Sequence, residues 1–193
     1  MDIDQIIKNT DSDYQNLMNK NIPRNCVLVI DVETTGFPEK LNFYTYYDFT
    51  NVTKYDNSRI VQISWGLYNN GNLLEMSDYI IKPNGFMINN SEYHNITNEI
   101  ANDKGIDIGD VMTKLHYDLK HHTGVIVGHN LKFDENIILS ELYRCGMNNV
   151  IDEFKKKRKC CTGYGSEKLV KIELGEGKYK MPSLQELYQW CFH

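Results

Sequence analysis

The sequence has few cysteines, the residues that form disulfides in secreted domains and bind zinc in zinc-binding domains. Only 5 cysteines occur in 193 residues, an odd number, and no two of them form a CxxC pair. The longest apolar run, residues 26–30, is far too short to span a bilayer. The acidic first residues, 1–13, have no apolar secretory core. We therefore expect reduced thiols in an intracellular protein, cytoplasmic or nuclear, with no membrane partner.

Positive charge is also scarce. The chain has 21 Lys and Arg residues against 26 Asp and Glu residues, a formal net charge of −5. This balance argues against broad electrostatic binding of long duplex DNA. It does not exclude local contact with one strand end. The densest basic run, residues 155–159, is interpreted either as a solvated loop or as a phosphate contact.

The length suits one domain with a short extension. Hydrophobic residues make up 41% of the chain and charged residues 24%, which is ordinary for a globular protein. Residues 1–25 are interpreted as an N-terminal extension, and residues 26–193 as the main domain. A short helix packed on that domain is predicted in the extension from its apolar residues, Ile3, Ile6, Ile7, Leu17 and Met18.

The first half of the domain is rich in strand signals. The apolar run 26–30 predicts a strand buried on both faces. Residues 38–58 predict a long loop. The segments 60–67 and 73–81, joined by the Asn- and Gly-rich residues 69–72, predict a β-hairpin.

Helices and one further strand are predicted in the second half. Apolar residues at helical spacing predict helices over about 109–121 and 133–145, and residues 125–127 predict a buried strand between them. A last helix begins near Ser183, where Glu186 three residues later fits a capping box. The order of elements predicts an α/β fold with a mixed sheet flanked by helices.

Two carboxylates mark the end of the first strand. Alternation places Asp31 and Glu33 on one side, about 7 Å apart along the strand. Such a pair is costly to bury unless a cation lies between the two side chains, and oxygen ligands favour Mg²⁺ or Mn²⁺. The alternative interpretation is a surface strand end with two solvated acids.

A second cluster follows the strand at 125–127. Asp134 lies near a helix N-terminus, where a carboxylate is favoured, so it is either an ordinary helix-starting residue or a third acid facing the first two. His129 and Asn130 could bind a phosphate or sugar, or could be turn residues. Farther upstream, His94 and Thr97 read singly as a surface histidine and a helix N-cap.

Taken together and in order, these segments resemble the DEDD superfamily of 3′–5′ exonucleases, in the style of phage and large-DNA-virus members. The resemblance covers roughly residues 26–192. The matching segments are DVETTG at 31–36, RIVQISW at 59–65, HNIT at 94–97, GHNLKFDENIIL at 128–139, CTGYGSEKLVKI at 161–172 and KYKMPSLQELYQW at 178–190.

The resemblance implies a ribonuclease H-like fold and a two-metal hydrolysis of phosphodiester bonds. It implies that Asp31, Glu33 and Asp134 are the catalytic residues and bind two Mg²⁺ or Mn²⁺ ions. The implied substrate is a single-stranded or frayed 3′ end, with DNA favoured over RNA, in proofreading, repair or degradation. The implied substrate-binding residues are Thr34, Thr35, His94, Ile96, Thr97, His129, Asn130 and Phe133.

The sequence departs from the family after Asp134. Histidine-type members finish with H-x4-D, in which the histidine accepts a proton from the attacking water and the aspartate completes the metal site. No such pair follows Asp134, and the tyrosine-type pattern Y-x3-D is missing too, because Lys168 stands at that offset from Tyr164. His193 is the last residue, and we do not expect it to act as a displaced base.

Three explanations of this departure stay open: a fragment of a longer protein, a naturally shortened relative, or a partner chain that supplies the missing groups. The alternative function is a weak or inactive nucleic-acid-binding scaffold of the same fold. A zinc protein built on Cys160 and Cys161 is a third reading with poor ligand spacing. A polymerase or repair partner is unspecified, and a viral protein would act inside the host cell.

Overall fold

Nine strands and their connections are seen in a computed structural model that describes residues 22–42 and 45–193. The predicted helix within residues 1–25 falls almost entirely outside the described residues. The strands are β1 Cys26–Thr34, β2 Lys40–Asn42, β3 Thr45–Tyr46, β4 Ile60–Asn69, β5 Asn72–Ile80, β6 Thr123–Gly128, β7 Arg158–Cys161, β8 Glu173–Gly175 and β9 Lys178–Tyr179.

Five of these strands form one mixed sheet in the order β5-β4-β1-β6-β7. The strands β5, β4 and β1 are antiparallel neighbours, whereas β1, β6 and β7 run parallel. The pairs β2–β3 and β8–β9 are small separate hairpins. The predicted α/β fold with a mixed sheet is confirmed.

Helices flank the sheet, and none in the described part is long and apolar enough to cross a membrane. A short 3-10 helix, Val52–Tyr55, interrupts the segment predicted as a loop. The α-helices are α1 Ser91–His94, α2 Asn98–Lys104, α3 Ile108–His121, α4 Leu131–Arg144, α5 Asn148–Lys156, α6 Thr162–Val170 and α7 Leu184–Phe192.

The two faces of the sheet differ in burial. Along β1, alternate residues from Cys26 to Val32 point into the main core, beneath α3, α4 and α5. Val29, on the other face, is 39% exposed. The prediction that this strand is buried on both faces is therefore wrong. On the second face of the sheet, Val29 lies beside Val127 of β6. This part of the face is therefore apolar, yet it stays half open.

Local signals placed several elements well. The β4–β5 turn has positive φ at Asn70 and Gly71, as two-residue hairpin turns require. The capping box at Ser183 and Glu186 is present at the start of α7. Of the two interpretations of the basic run 155–159, the solvated loop is wrong. Its residues end α5 and begin β7.

A buried ion pair links the sheet to α4. Arg59 donates to Glu141 through Nε at 2.6 Å and through an Nη at 3.2 Å, and these side chains are only 14% and 3% exposed. The guanidinium also lies 4.7 Å from the centre of the Phe86 ring. Because the backbone of Arg59 bonds to Thr35, this pair connects the core to the turn after β1.

We predict that Arg59→Met destabilises the protein by about 3–5 kcal/mol, because it leaves the Glu141 carboxylate buried and unpaired. The double variant Arg59→Met/Glu141→Leu should recover much of this loss, since no buried charge remains. Urea unfolding measures both. Breaking the exposed Lys54–Glu39 pair with Lys54→Met is the control and should cost nothing measurable. Equal losses in the single and double variants would contradict the prediction.

Candidate active site

The site forms where β1 runs past its parallel neighbour. Pairing of β1 with β6 ends at Val29, so the edge of β1 beyond that point is open on this side. There the backbone N–H of Val32 donates to Oδ1 of Asp134 at 3.3 Å. Asp31 and Glu33 flank Val32 on the half-open face of the sheet. The structure therefore brings the N-terminal turn of α4 against the strand between the two other acids.

The pKa of each of the three carboxylates at this point is raised, chiefly by burial. Asp134 is 2% exposed, and its pKa is raised to about 7, first by burial and then by Asp31 and Glu33. Burial also raises the pKa of Asp31, against the opposing effect of His129. The pKa of Glu33 is raised by burial and by Asp31, whereas His94 lowers it. Negative charge here lacks a full counterion.

The donor set fits a divalent cation chemically. Hard carboxylate oxygens suit Mg²⁺ and Mn²⁺, and a cation would relieve the repulsion that raises the pKa of Asp134. Within residues 22–42 and 45–193, no cluster of three or more His, Cys, Asp or Glu side chains is already close enough to hold an ion. The two metal ions therefore stay a prediction.

The turn after β1 is held by its own side chains. The Thr34 hydroxyl donates to the Gly36 carbonyl at 2.8 Å, and the Thr35 hydroxyl accepts from the N–H of Arg59 at 2.9 Å. The Asn90 side-chain amide donates to the Thr34 carbonyl at 2.9 Å. At Gly36 a Cβ would lie 2.9 Å from the Asn57 carbonyl oxygen, so a larger residue would displace the turn. Both threonine hydroxyls thus have structural partners.

A cavity of about 440 Å³ lies beside this turn. Its lining includes four of the residues predicted to bind substrate, namely Thr34, Thr35, His94 and Phe133. Phe37, which is 79% exposed, also lines it and makes an edge-on contact with Phe133 at 5.9 Å between ring centres. The cavity adjoins Glu33, so a bound group would lie against the acids.

Two of the other predicted substrate residues belong to the architecture around the cavity. Ile96 is buried with Val61 and Ile88 in a second core cluster. Thr97 caps α2 by accepting from the N–H of Ile100. Neither is part of the described lining of the cavity, and their substrate contacts stay a prediction.

The same holds for the turn before α4. His129 is hydrogen-bonded at both ring nitrogens, to the Thr162 hydroxyl at 3.0 Å and to the Pro182 carbonyl at 2.9 Å. Asn130 adopts a left-handed conformation with φ of 60° and precedes α4. His129 therefore joins the site turn to α6 and to the segment before α7. Its predicted substrate contact, like that of Asn130, stays a prediction.

Sequence reasoning missed two tyrosines near the acids. The pKa of Tyr46 is raised by burial, then by the nearness of Tyr164 and Asp134. Lys40 lies 4.7 Å from the centre of the Tyr46 ring, so the β2–β3 hairpin brings a cation to this side of the site. No spacing signal marked either residue as part of a site. Tyr46 lies in the segment predicted as a loop, and Tyr164 lies in a helix that was not predicted.

The order of the strands and the flanking helices define the fold class. The mixed sheet with its flanking helices is the ribonuclease H-like fold of exonucleases. No family model and no curated protein matches the chain.

Solved structures of exonuclease I do match. The ExoI/SSB-Ct complex aligns with a TM-score of 0.63 and 16% identity over 87% of this chain and 36% of that one. E. coli exonuclease I with a dT13 oligonucleotide gives a TM-score of 0.56 and 16% identity over 77% of this chain and 29% of that one. The zinc-bound E. coli ExoI–ssDNA complex gives 0.59 and 16% over 80% and 31%. The chain thus spans about a third of these proteins, and the likeness shows the fold.

The pKa of Asp134 predicts how metal-free stability depends on pH. An unfolded aspartate ionises near 3.8, whereas the folded carboxyl ionises near 7. Its stabilising contribution is complete below the lower value and is lost as pH rises to the upper one. We therefore expect the Tm of the wild type in EDTA to fall more steeply between about pH 5 and pH 7 than that of Asp134→Asn.

Asp48→Asn is the control for this measurement. The pKa of Asp48 is lowered by its hydrogen bonds to Thr50, so its titration is complete below this pH range. This variant should keep the wild-type slope. Parallel slopes for the wild type and Asp134→Asn would mean that the raised pKa at the site is wrong.

Proposed function

We propose that the protein is a metal-dependent 3′–5′ exonuclease acting on single-stranded or frayed DNA ends. The observation that carries this proposal is the placement of the Asp134 carboxylate against Val32, between Asp31 and Glu33, beside a cavity of nucleotide size. The fold shared with exonuclease I bound to a dT13 oligonucleotide supports DNA as the substrate. The scaffold alternative is not favoured, because a buried carboxylate beside two like-charged neighbours is costly without a bound cation.

Asp31, Glu33 and Asp134 would hold the metal ions of this proposal. When bound, Mg²⁺ or Mn²⁺ would supply an activated water and stabilise the leaving oxygen. The burial of Asp134 keeps water away from its carboxylate and fixes its direction through the Val32 N–H. Precise placement of this kind is worth large factors in rate.

The rest of the cavity would bind the terminal nucleotide. The rings of Phe133 and Phe37 offer faces and edges for a base, which favours unpaired ends with little sequence preference. The turn from Thr34 to Gly36 would lie by the terminal sugar, and its internal hydrogen bonds hold it in one shape.

The two histidines near the acids both have hydrogen-bond partners at both ring nitrogens. Both nitrogens of His129 are already bonded within the protein, so it serves to fix the site turn. His94 accepts from the Ile96 N–H through Nδ1, and its Nε2 lies 3.4 Å from Asn90 Oδ1. Neither is assigned as the general base.

Four further expectations stay proposals: a role in repair or proofreading, a polymerase partner, an intracellular location and a viral origin.

We predict that the chain shortens a 5′-labelled oligo(dT) one nucleotide at a time from its 3′ end when Mn²⁺ is present. Asp31→Asn, Glu33→Gln and Asp134→Asn should each slow this by at least about a hundredfold, since they remove groups that hold the ions. Asp152→Asn, an exposed acid on α5, is the control and should keep the wild-type rate. Wild-type rates in the site variants, or shortening from the 5′ end, would contradict the proposal.

We also predict that Mn²⁺ raises the Tm, because an ion that binds only the folded state stabilises it. At a hundredfold excess over the Kd the gain is about 2.7 kcal/mol. Asp31→Asn should lose most of the shift, and Ca²⁺ should give a shift without turnover. Differential scanning fluorimetry measures this independently of catalysis. An equal response of the wild type and Asp31→Asn to Mn²⁺ would place the ion elsewhere.

A further inference from the structure

One face of α6 leads away from the acids. Tyr164 and Lys168, four residues apart, lie on one face of α6, and the row that they form ends at Lys171, the C-cap residue in a left-handed conformation. All three are exposed, and Tyr164 is 53% exposed. The helix begins at the site, because Thr162, its first residue, bonds to His129. The row therefore starts at the acids and runs outward.

The outer end of this row opens into a cavity of about 670 Å³ between α6 and the β8–β9 hairpin. Three lysines line it, Lys168, Lys171 and Lys178, against the single acid Glu167. Among the described residues, Lys168 and Lys171 have no ion-pair partner, and Lys178 makes only a long contact of 3.8 Å with Glu176. In a chain of net charge −5, this is a local excess of positive charge.

We propose that Tyr164, Lys168, Lys171 and Lys178 form a track that binds the sugar–phosphate backbone of the strand whose 3′ end lies at the acids. The proposal rests on the function proposed above and adds where the rest of the strand runs. Lysines bind phosphates as point charges, and exposed aromatic rings stack on bases of any sequence.

The dimensions of the row suit a short stretch of strand. From Tyr164 to Lys171, the C-cap residue, the chain advances about 10 Å along the axis of α6. Phosphates in one DNA strand are spaced about 3.4 Å along a duplex axis, so the row can contact two or three of them. Near Tyr164, Lys40 over the Tyr46 ring supplies a further cation and aromatic ring. An acidic peptide would use the lysines but has no reason to continue to the acids.

The test compares two triple variants that remove the same charge. Lys168→Gln/Lys171→Gln/Lys178→Gln removes the track, and Lys82→Gln/Lys104→Gln/Lys120→Gln removes three exposed lysines that do not line it. Binding of labelled dT12 and dT3 is measured by fluorescence anisotropy over a range of salt concentrations, with Ca²⁺ in place of Mn²⁺. Each lost phosphate contact should reduce the slope of log K against log salt by about 0.7.

We expect the track variant to bind dT12 with a slope smaller by about 2 than that of the wild type, with the control triple unchanged and dT3 affected much less. Tyr164→Ala should weaken dT12 binding by roughly tenfold, and Tyr164→Phe should restore it, because stacking needs the ring and not the hydroxyl. Equal slopes in the two triples, with the wild type still binding dT12, would overturn the track alone. Failure of the wild type to bind either oligonucleotide would instead overturn the proposed function.

Discussion

The site depends on one hydrogen bond, from the backbone N–H of Val32 to the carboxylate of Asp134. It forms because β1 continues beyond the last residue that pairs with β6, which leaves the N–H of Val32 without a partner in the sheet. A buried N–H must find an acceptor, and the first turn of α4 supplies one. A requirement of backbone chemistry thus places a third carboxylate between two others that alternation has already put on one face.

This arrangement costs stability in the absence of a cation. Burial raises the pKa of all three acids, and repulsion from neighbouring acids raises those of Glu33 and Asp134 further, so that the pKa of Asp134 reaches about 7. The surrounding structure must hold the acids in place against that repulsion. The bonds from Thr35 to Arg59, and from Arg59 to Glu141, tie the turn after β1 to the core and to α4. Electrostatic repulsion held in place by hydrogen bonds and an ion pair close by is typical of a functional site.

Much of the fold was predictable because its signals are local. The apolar run in β1, the Asn70–Gly71 turn and the Ser183 cap each depend on residues near in sequence. The half-open face of β1 was not predictable, since Val29 is apolar in either setting and only tertiary packing decides its exposure. The interpretation of the basic run as a loop is wrong for a related reason. Lys157 and Lys159 form ion pairs with Glu153 and Glu135, which let charged residues end a helix and enter a strand.

The candidate site shows the same division. The acids could be proposed from the sequence because strand alternation and a helix start are local rules, whereas the partners of His129 lie 33 and 53 residues away in sequence. Those partners matter for the whole arrangement. They join the turn before Asp134 to the start of α6, and Met181 packs so closely on Gly163 that a Cβ there would lie 2.7 Å from its sulfur. These contacts hold the start of α6 against the turn before Asp134, so the proposed track begins at a fixed position relative to the acids.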